Sequence, residues 1–312
     1  MFLGIEIGGT KLQLGVSDAS RADLIRLERT DVKREAGAQG ILDQIQRMGR
    51  LLCEQYPIRH IGIGFGGPVE DGVATKSHQV SGWDRFPLAA WSKQQFGLPT
   101  VVENDCNVAA IAEATYGAGQ GIGRVFYVTV GTGIGGGFVI DGTLYGAGAA
   151  AVAEIGHLRP GLDCTSASDT VESLASGLGM AQRARKLLLE GCEFDTSIIR
   201  TMAGEEIEAL SAKQLVIARE QGCSFAKFIT DEATRTLGWA IAQMSTLLAP
   251  EIVVCGGGVT LSGSWFLEQV QRHVKQYVFS PLASNVRIEP TKLDENSVVI
   301  GAILLASQNA SL

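Results

Sequence analysis

Glycine constrains this chain more than any other residue: it supplies 39 of 312 positions, about 12.5% against a usual value of about 7%. The excess is clustered and has no collagen-like period, so it points to loops between regular elements. Gly8-Gly9-Thr10 separates an alternating run at 2–7 from Leu12, Leu14 and Val16, which reads as strand, tight turn, strand. Gly131-Thr132-Gly133 opens the run GTGIGGG (131–137) after a strand at Val125–Val130. Phe138–Ile140, an Asp141-Gly142 turn and Thr143–Tyr145 follow, and Asp-Gly between apolar runs is a strong hairpin signal. Glycine lets backbone N–H groups approach phosphate oxygens, and a threonine hydroxyl adds a donor. Either turn alone is equally well explained as a plain glycine-rich hairpin. One in each half of the chain, with Lys11 beside the first and a third cluster at Gly256–Gly258, suggests a polyphosphate gripped from both sides of a cleft.

Two windows also satisfy GxGxxG, Gly62-Gly64-Gly67 and Gly131-Gly133-Gly136. A dinucleotide site needs a helix N-terminus directly after the glycines to face the pyrophosphate. The second window runs into a strand and the first into Pro68 and a polar loop, so the nicotinamide reading fails on context. Aromatic residues are only 6% and the net charge is −7, which argues against a nucleic-acid binder. The most apolar long window, Leu237 to Val259, is broken by Gln243, Pro250 and Glu251, so no membrane span is expected. Glu6 interrupts the first apolar run, which lacks the form of a signal peptide. Six cysteines without a CxxC pair read as reduced thiols of a cytoplasmic protein.

Helical spacing covers Ile41 to Tyr56, a buried strand follows at His60–Phe65, Val101-Val102 closes another, and Asn107 to Tyr116 forms a small-residue helix. After about residue 171 helices dominate: Val171–Glu190 ending at Gly191, stretches near 204–221 and 224–248, and one near 263–278. Strands at Glu251–Cys255 and Val286–Glu289 and a last helix near 296–308 complete an α/β reading in two lobes.

The segments GIEIGGTK (4–11), VVENDCNVAAIAE (101–113), VTVGTGIGGGFVIDGTLYGAGAAAVAEIGH (128–157), ESLASG (172–177), PEIVVCGGGV (250–259) and VIGAILLA (299–306) together resemble the ROK family. That family comprises bacterial sugar kinases and some transcriptional repressors. The resemblance implies an α/β, two-lobed actin-like ATPase fold with ribonuclease-H-like cores and a nucleotide/sugar cleft. It places an N-terminal lobe at 1–113, joined by the C-terminal helix 297–312, and a larger lobe at 114–296. By resemblance, Gly8, Gly9, Thr10, Lys11, Gly131, Thr132 and Gly133 hold the ATP phosphates, and Gly257 and Gly258 lie near the adenosine. Asp105 is the implied catalytic base. Spacing alone favours a helix cap at Asn104-Asp105, and the family motif reverses that preference. Asn104, Glu154, His157, Glu172 and Gly67 are the expected contacts to the sugar; Trp83 either lines that side or belongs to the core. A carboxylate such as Glu154 among Ala and Gly is costly to bury without a partner, which supports a pocket role.

Two departures stand out. Glu6 replaces the aspartate that positions Mg²⁺ in the family, largely through water. The family's CxCGxxGC after EIGH is absent, because residues 156–172 read GHLRPGLDCTSASDTVE with only Cys164. One thiol and one imidazole do not fill a tetrahedral site, so no structural zinc is expected. The expected activity is transfer of a phosphoryl group from Mg-ATP to a hexose, glucose first, with fructose, mannose, N-acetylglucosamine and N-acetylmannosamine open. The alternative is a catalytically weak sugar- or nucleotide-binding sensor. A repressor is disfavoured, because no helix-turn-helix fits ahead of Gly8. Related kinases are commonly homodimers, and the sequence leaves the oligomeric state open.

Overall fold

The structure is a computed structural model and describes all residues except 78, 150, 167, 205–206 and 311–312. The strands β1 (Phe2–Ile7), β2 (Lys11–Ser17) and β3 (Arg26–Asp31) lead to helix α1 (Gly37–Gln55). Then come β4 (His60–Phe65), the short hairpin β5 (Val69–Glu70) and β6 (Val73–Ala74), α2 (Leu88–Phe96), β7 (Thr100–Asn104) and α3 (Asp105–Tyr116). The strands β8 (Arg124–Val130), β9 (Ile134–Ile140) and β10 (Thr143–Leu144) follow. A helical stretch comprises α4 (Val171–Ala175), α5 (Gly177–Glu190), α6 (Ser197–Ala203), α7 (Ala212–Glu220) and α8 (Ser224–Leu248). The chain ends with β11 (Ile252–Gly256), α9 (Ser264–Tyr277), β12 (Ile288–Pro290) and α10 (Ser297–Asn309).

Two five-stranded sheets repeat one plan, β3-β2-β1-β4-β7 and β10-β9-β8-β11-β12. In the first, β1 pairs antiparallel with β2 and parallel with β4, and β4 pairs parallel with β7. In the second, β9 and β10 are antiparallel, and β11 and β12 are parallel. The turn at 8–10 joins β1 to β2, and the turn at 131–133 joins β8 to β9, so the two occupy the same place in the two sheets. The chain divides into two compact units: Met1–Tyr127 with Gly137–Ala153 and Thr291–Leu312, and Val128–Gly136 with Glu154–Pro290. Residues 114–127 and 137–153 thus lie with the first unit.

In the first unit, the strand period of two separates two faces. Leu3, Ile5, Ile7, Leu12 and Leu14 pack with Ile41 and Ile45 of α1. The opposite face carries Phe2, which packs with Val299, Ile303 and Ala306 of α10. The last helix therefore packs on the first sheet. Glycine makes this approach close: a Cβ on Gly62 would lie 1.8 Å from the Ala302 carbonyl oxygen, and one on Gly301 1.8 Å from that of Val108. Some of the glycine excess thus serves strand–helix contact, where sequence reading assigned it to loops.

The helix expected as one piece over 171–190 is broken at Ser176, which is extended and caps α5 by accepting from the Gly179 N–H at 2.9 Å. Gly177 N–H leaves the helical pattern to donate to the Gly131 carbonyl at 2.8 Å. In the stretch near 204–221, residues 205–206 lie outside the described ones; the rest holds a 3₁₀ turn at Ile207–Ala209 and α7, after the separate short α6. Strand β3 was not legible, because its charged residues alternate as an exposed edge rather than as an apolar face.

Candidate active site

Asn104 ends β7 and caps α3: its Oδ1 accepts from the N–H groups of Cys106 (2.9 Å) and Asn107 (3.2 Å). Its Nδ2 donates to the Gly67 carbonyl at 3.1 Å. Asp105 is therefore the first helical residue rather than the cap, and its Oδ1 also accepts from Cys106 N–H, at 2.8 Å. The other oxygen faces Gly66. A Cβ there would lie 3.5 Å from Asp105 Oδ2, 3.1 Å from the Ile7 carbonyl oxygen and 3.7 Å from Gly8 Cα. The first unit thus brings Asp105 together with the turn at 8–10, Gly67 and Asn104.

In that turn, Gly8 N–H donates to the Lys11 carbonyl at 3.1 Å. The Gly9 carbonyl accepts from Arg34 Nε at 2.8 Å, and the Thr10 carbonyl from Val32 N–H at 2.9 Å. With the carbonyls engaged, Thr10 itself is exposed. Gln79 lies against Gly9, where it would collide with any Cβ. Arg34 and Gln79 were missed by sequence reasoning; Arg34 sits in a charged stretch that reads as solvated surface, and Gln79 carries no motif. Trp83 is core: 1% exposed, with ring centroids 5.0 Å from Phe65 and 5.4 Å from Phe86.

Glu6 lies on the α10 face of β1, opposite Gln13 in the β1–β2 register. Gln13 Nε2 donates to Glu6 Oε2 at 2.5 Å, and Lys11 Nζ is 3.6 Å from Oε1. Burial pushes the carboxyl up from 4.5 to about 7; Lys11 and Gln13 oppose this and the charge of Asp105 adds to it. Between pH 4.5 and about 7 the folded state holds the proton more tightly than the unfolded one. Its stabilising effect is therefore complete below the lower value and is lost as pH rises through the upper one. Wild-type stability is expected to carry a decline on the order of 2–3 kcal/mol across that window that Glu6→Gln lacks. Denaturant melts of both proteins at pH 5 and pH 8 test this, and identical pH slopes would contradict it.

In the second unit, Ile134 is the meeting point. Its N–H donates to Glu172 Oε2 at 2.7 Å, and its carbonyl oxygen would lie 2.1 Å from a Cβ on Gly156. Glu172, expected on the sugar, thus holds the turn at 131–133 with one oxygen. The Gly131 and Thr132 carbonyls accept from Gly177 and Leu178 N–H groups, at 2.8 and 3.3 Å, and Thr132 is exposed. Glu154 Oε2 and His157 Nε2 are 3.9 Å apart on the single turn that contains Gly156, with Glu154 half-buried and His157 exposed. Gly257, at φ +92°, lies against Val130, and Val259 N–H donates to the Val130 carbonyl at 3.0 Å. The segment after His157 closes on itself: Val171 N–H donates to the Leu158 carbonyl at 2.9 Å, and Arg159 Nη1 to that of Thr165 at 3.2 Å. Among the described residues, no three His, Cys, Asp or Glu side chains gather as a metal site, and no helix is long and apolar enough to cross a membrane.

The chain has counterparts among known proteins. The ROK family model matches residues 2–309. A glucokinase of Halalkalibacterium halodurans is 29% identical, covering 98% of this chain and 95% of that protein. An N-acetylmannosamine kinase of Salmonella heidelberg is 30% identical over 97% of this chain and 97% of its own length. The crystal structure of a ROK family glucokinase from Streptomyces griseus, in complex with glucose and AMPPNP, superposes with a TM-score of 0.82 at 28% identity, covering 98% of this chain and 99% of that one. The fold is that of the actin-like ATPases. Within that class, the chain belongs to the ROK family.

Proposed function

We propose that this protein is a cytoplasmic, ATP-dependent hexose kinase with Asp105 as its general base and glucose as its leading substrate. The observation that carries the reading is the division of labour at the start of α3. Asn104 caps the helix, so Asp105 is not needed for that task, and its second oxygen is turned to the glycine turn at 8–10. The glucokinase relatives and the glucose- and AMPPNP-bound structure support the substrate class.

Phosphoryl transfer asks little covalent work of the protein; it asks for positioning, charge neutralisation and a proton acceptor. Asp105, the first residue of α3, orients the attacking sugar hydroxyl and accepts its proton. Asn104, Gly67, Glu154, His157 and Glu172 supply donors and acceptors for the other hydroxyls. Glu172 has Oε1 to offer, since Oε2 is on Ile134. The turns at 8–10 and 131–133, with Lys11, offer backbone N–H groups and exposed threonine hydroxyls to phosphates, and Gly257 and Gly258 let a nucleoside come close. Mg²⁺ brought by ATP would neutralise phosphate charge. Glu6 and Asp105, near enough for the charge of Asp105 to act on Glu6, would supply carboxylate oxygens on the side of that cation.

The reading includes no structural zinc: the segment 158–171 is tied by its own hydrogen bonds instead. Stoichiometric zinc in chelator-washed protein would contradict that. A second reading, a weakly catalytic sensor, is favoured by one observation, the proton that Glu6 retains up to about pH 7. ADP release with Mg-ATP across glucose, fructose, mannose, N-acetylglucosamine and N-acetylmannosamine separates the two. The kinase reading predicts strong turnover, highest with glucose; binding without turnover on any sugar would favour the sensor.

A further inference from the structure

Glu103 precedes Asn104 in β7 and has no part in the mechanism above. It is 5% exposed. Oε1 accepts from Asn104 N–H at 2.8 Å and from Asn107 Nδ2 at 3.1 Å; Oε2 accepts from Gly148 N–H at 3.3 Å. Asn107 thus presents the donor end of its amide to Glu103. Its two oxygens therefore address two pieces of chain. One is the start of the helix whose first residue is Asp105. The other is the loop after β10, six residues ahead of Glu154.

That loop is tied to β7 by this contact. Gly148 sits at φ +79° and Gly146 at +74°, conformations that only glycine adopts without strain. Among the described residues, its internal ties include the Ala149 N–H to Gly146 carbonyl bond at 3.0 Å and the packing of Val152 on Gly146. A flexible glycine loop gains a fixed course only from an outside anchor, and a buried carboxylate aimed at one of its amides is such an anchor. We propose that Glu103 is a positioning residue for sugar binding: it latches the loop at 146–149 to the start of α3, where Asn104 and Asp105 meet the sugar. The proposal rests on the kinase reading for the roles of those two residues.

Glu103→Gln tests it with little change in shape. Two donors meet Oε1 and one meets Oε2, so the glutamine oxygen stays on the helix side and its amide N–H groups confront Gly148 N–H, donor against donor. The full-length variant is expected to exchange its loop amides at 146–149 at least tenfold faster than the wild type, with α3 unchanged. The glucose KM, and the glucose Kd by calorimetry, rise at least tenfold, and kcat stays within threefold. Asn107→Ala, which removes a helix-side donor only, keeps the wild-type loop exchange and glucose KM and controls for general loss of stability. Unchanged loop exchange in Glu103→Gln overturns the latch. Faster exchange with an unchanged KM overturns the role in sugar binding, and so does a fall in kcat alone. A wild-type protein that phosphorylates none of the sugars removes the kinase reading instead, and the exchange comparison still decides the latch.

Discussion

Asp105→Ala is expected to lower sugar phosphorylation by about 10²–10⁴-fold, the usual contribution of a positioned general base. The fold should survive. Both cap bonds of α3 come from Asn104 Oδ1, so the helix start keeps its satisfied N–H groups when the aspartate is truncated. Truncation removes the Asp105 Oδ1 bond to Cys106 N–H, which Asn104 Oδ1 also accepts, and a favourable charge at the helix N-terminus worth about 0.3–1 kcal/mol. Turnover and thermal melting measured side by side therefore separate chemistry from stability. A variant with wild-type turnover would strip Asp105 of the base role. One that is inactive only because it has unfolded would show that the side chain is structural after all.

The largest effect on stability is expected at Glu113, at the other end of the same helix. This side chain is fully buried. It accepts from Ala118 N–H at 2.9 Å, Leu293 N–H at 3.1 Å, Lys292 N–H at 3.4 Å and the Thr291 hydroxyl. The last three belong to the segment by which the chain re-enters the first unit at Thr291. Glu113→Ala leaves these donors buried without an acceptor and opens a cavity, a cost on the order of 3–5 kcal/mol. The melting temperature should fall by roughly 10 °C. Glu113→Gln keeps an acceptor oxygen and the volume and should lose less. A Glu113→Ala protein that melts within about 2 °C of the wild type would contradict this account.

The two glycine turns were legible in the sequence because each stands between alternating apolar runs, and a turn that must avoid Cβ leaves a mark in the residue types. The edge strand β3 left none, since Arg26, Glu28, Arg29 and Asp31 make a run of charges with no buried position, indistinguishable from a charged loop. The break between α4 and α5 was hidden for a different reason. The apolar spacing runs through Ser176, and only the tertiary bond from Gly177 to the turn at 131–133 decides that the helix stops there. Glu103 and Glu113 show a third limit. A glutamate next to or within a helix is a solvated residue by default, and nothing local says that Gly148 will reach the first or that residues 291–293 will surround the second. Asn104 and Asp105 were both visible as cap candidates, but which of them caps was settled only by the backbone geometry at the junction of β7 and α3.

The central claim is that this chain moves a phosphoryl group from ATP to a sugar. The most direct test is product analysis after incubation of the wild-type protein with Mg-ATP and glucose. The expected result is a singly phosphorylated hexose formed in equal amount to ADP, and absent with Asp105→Ala. ADP accumulating without any phosphorylated sugar, or neither product forming with glucose or any of the other four sugars, would contradict it.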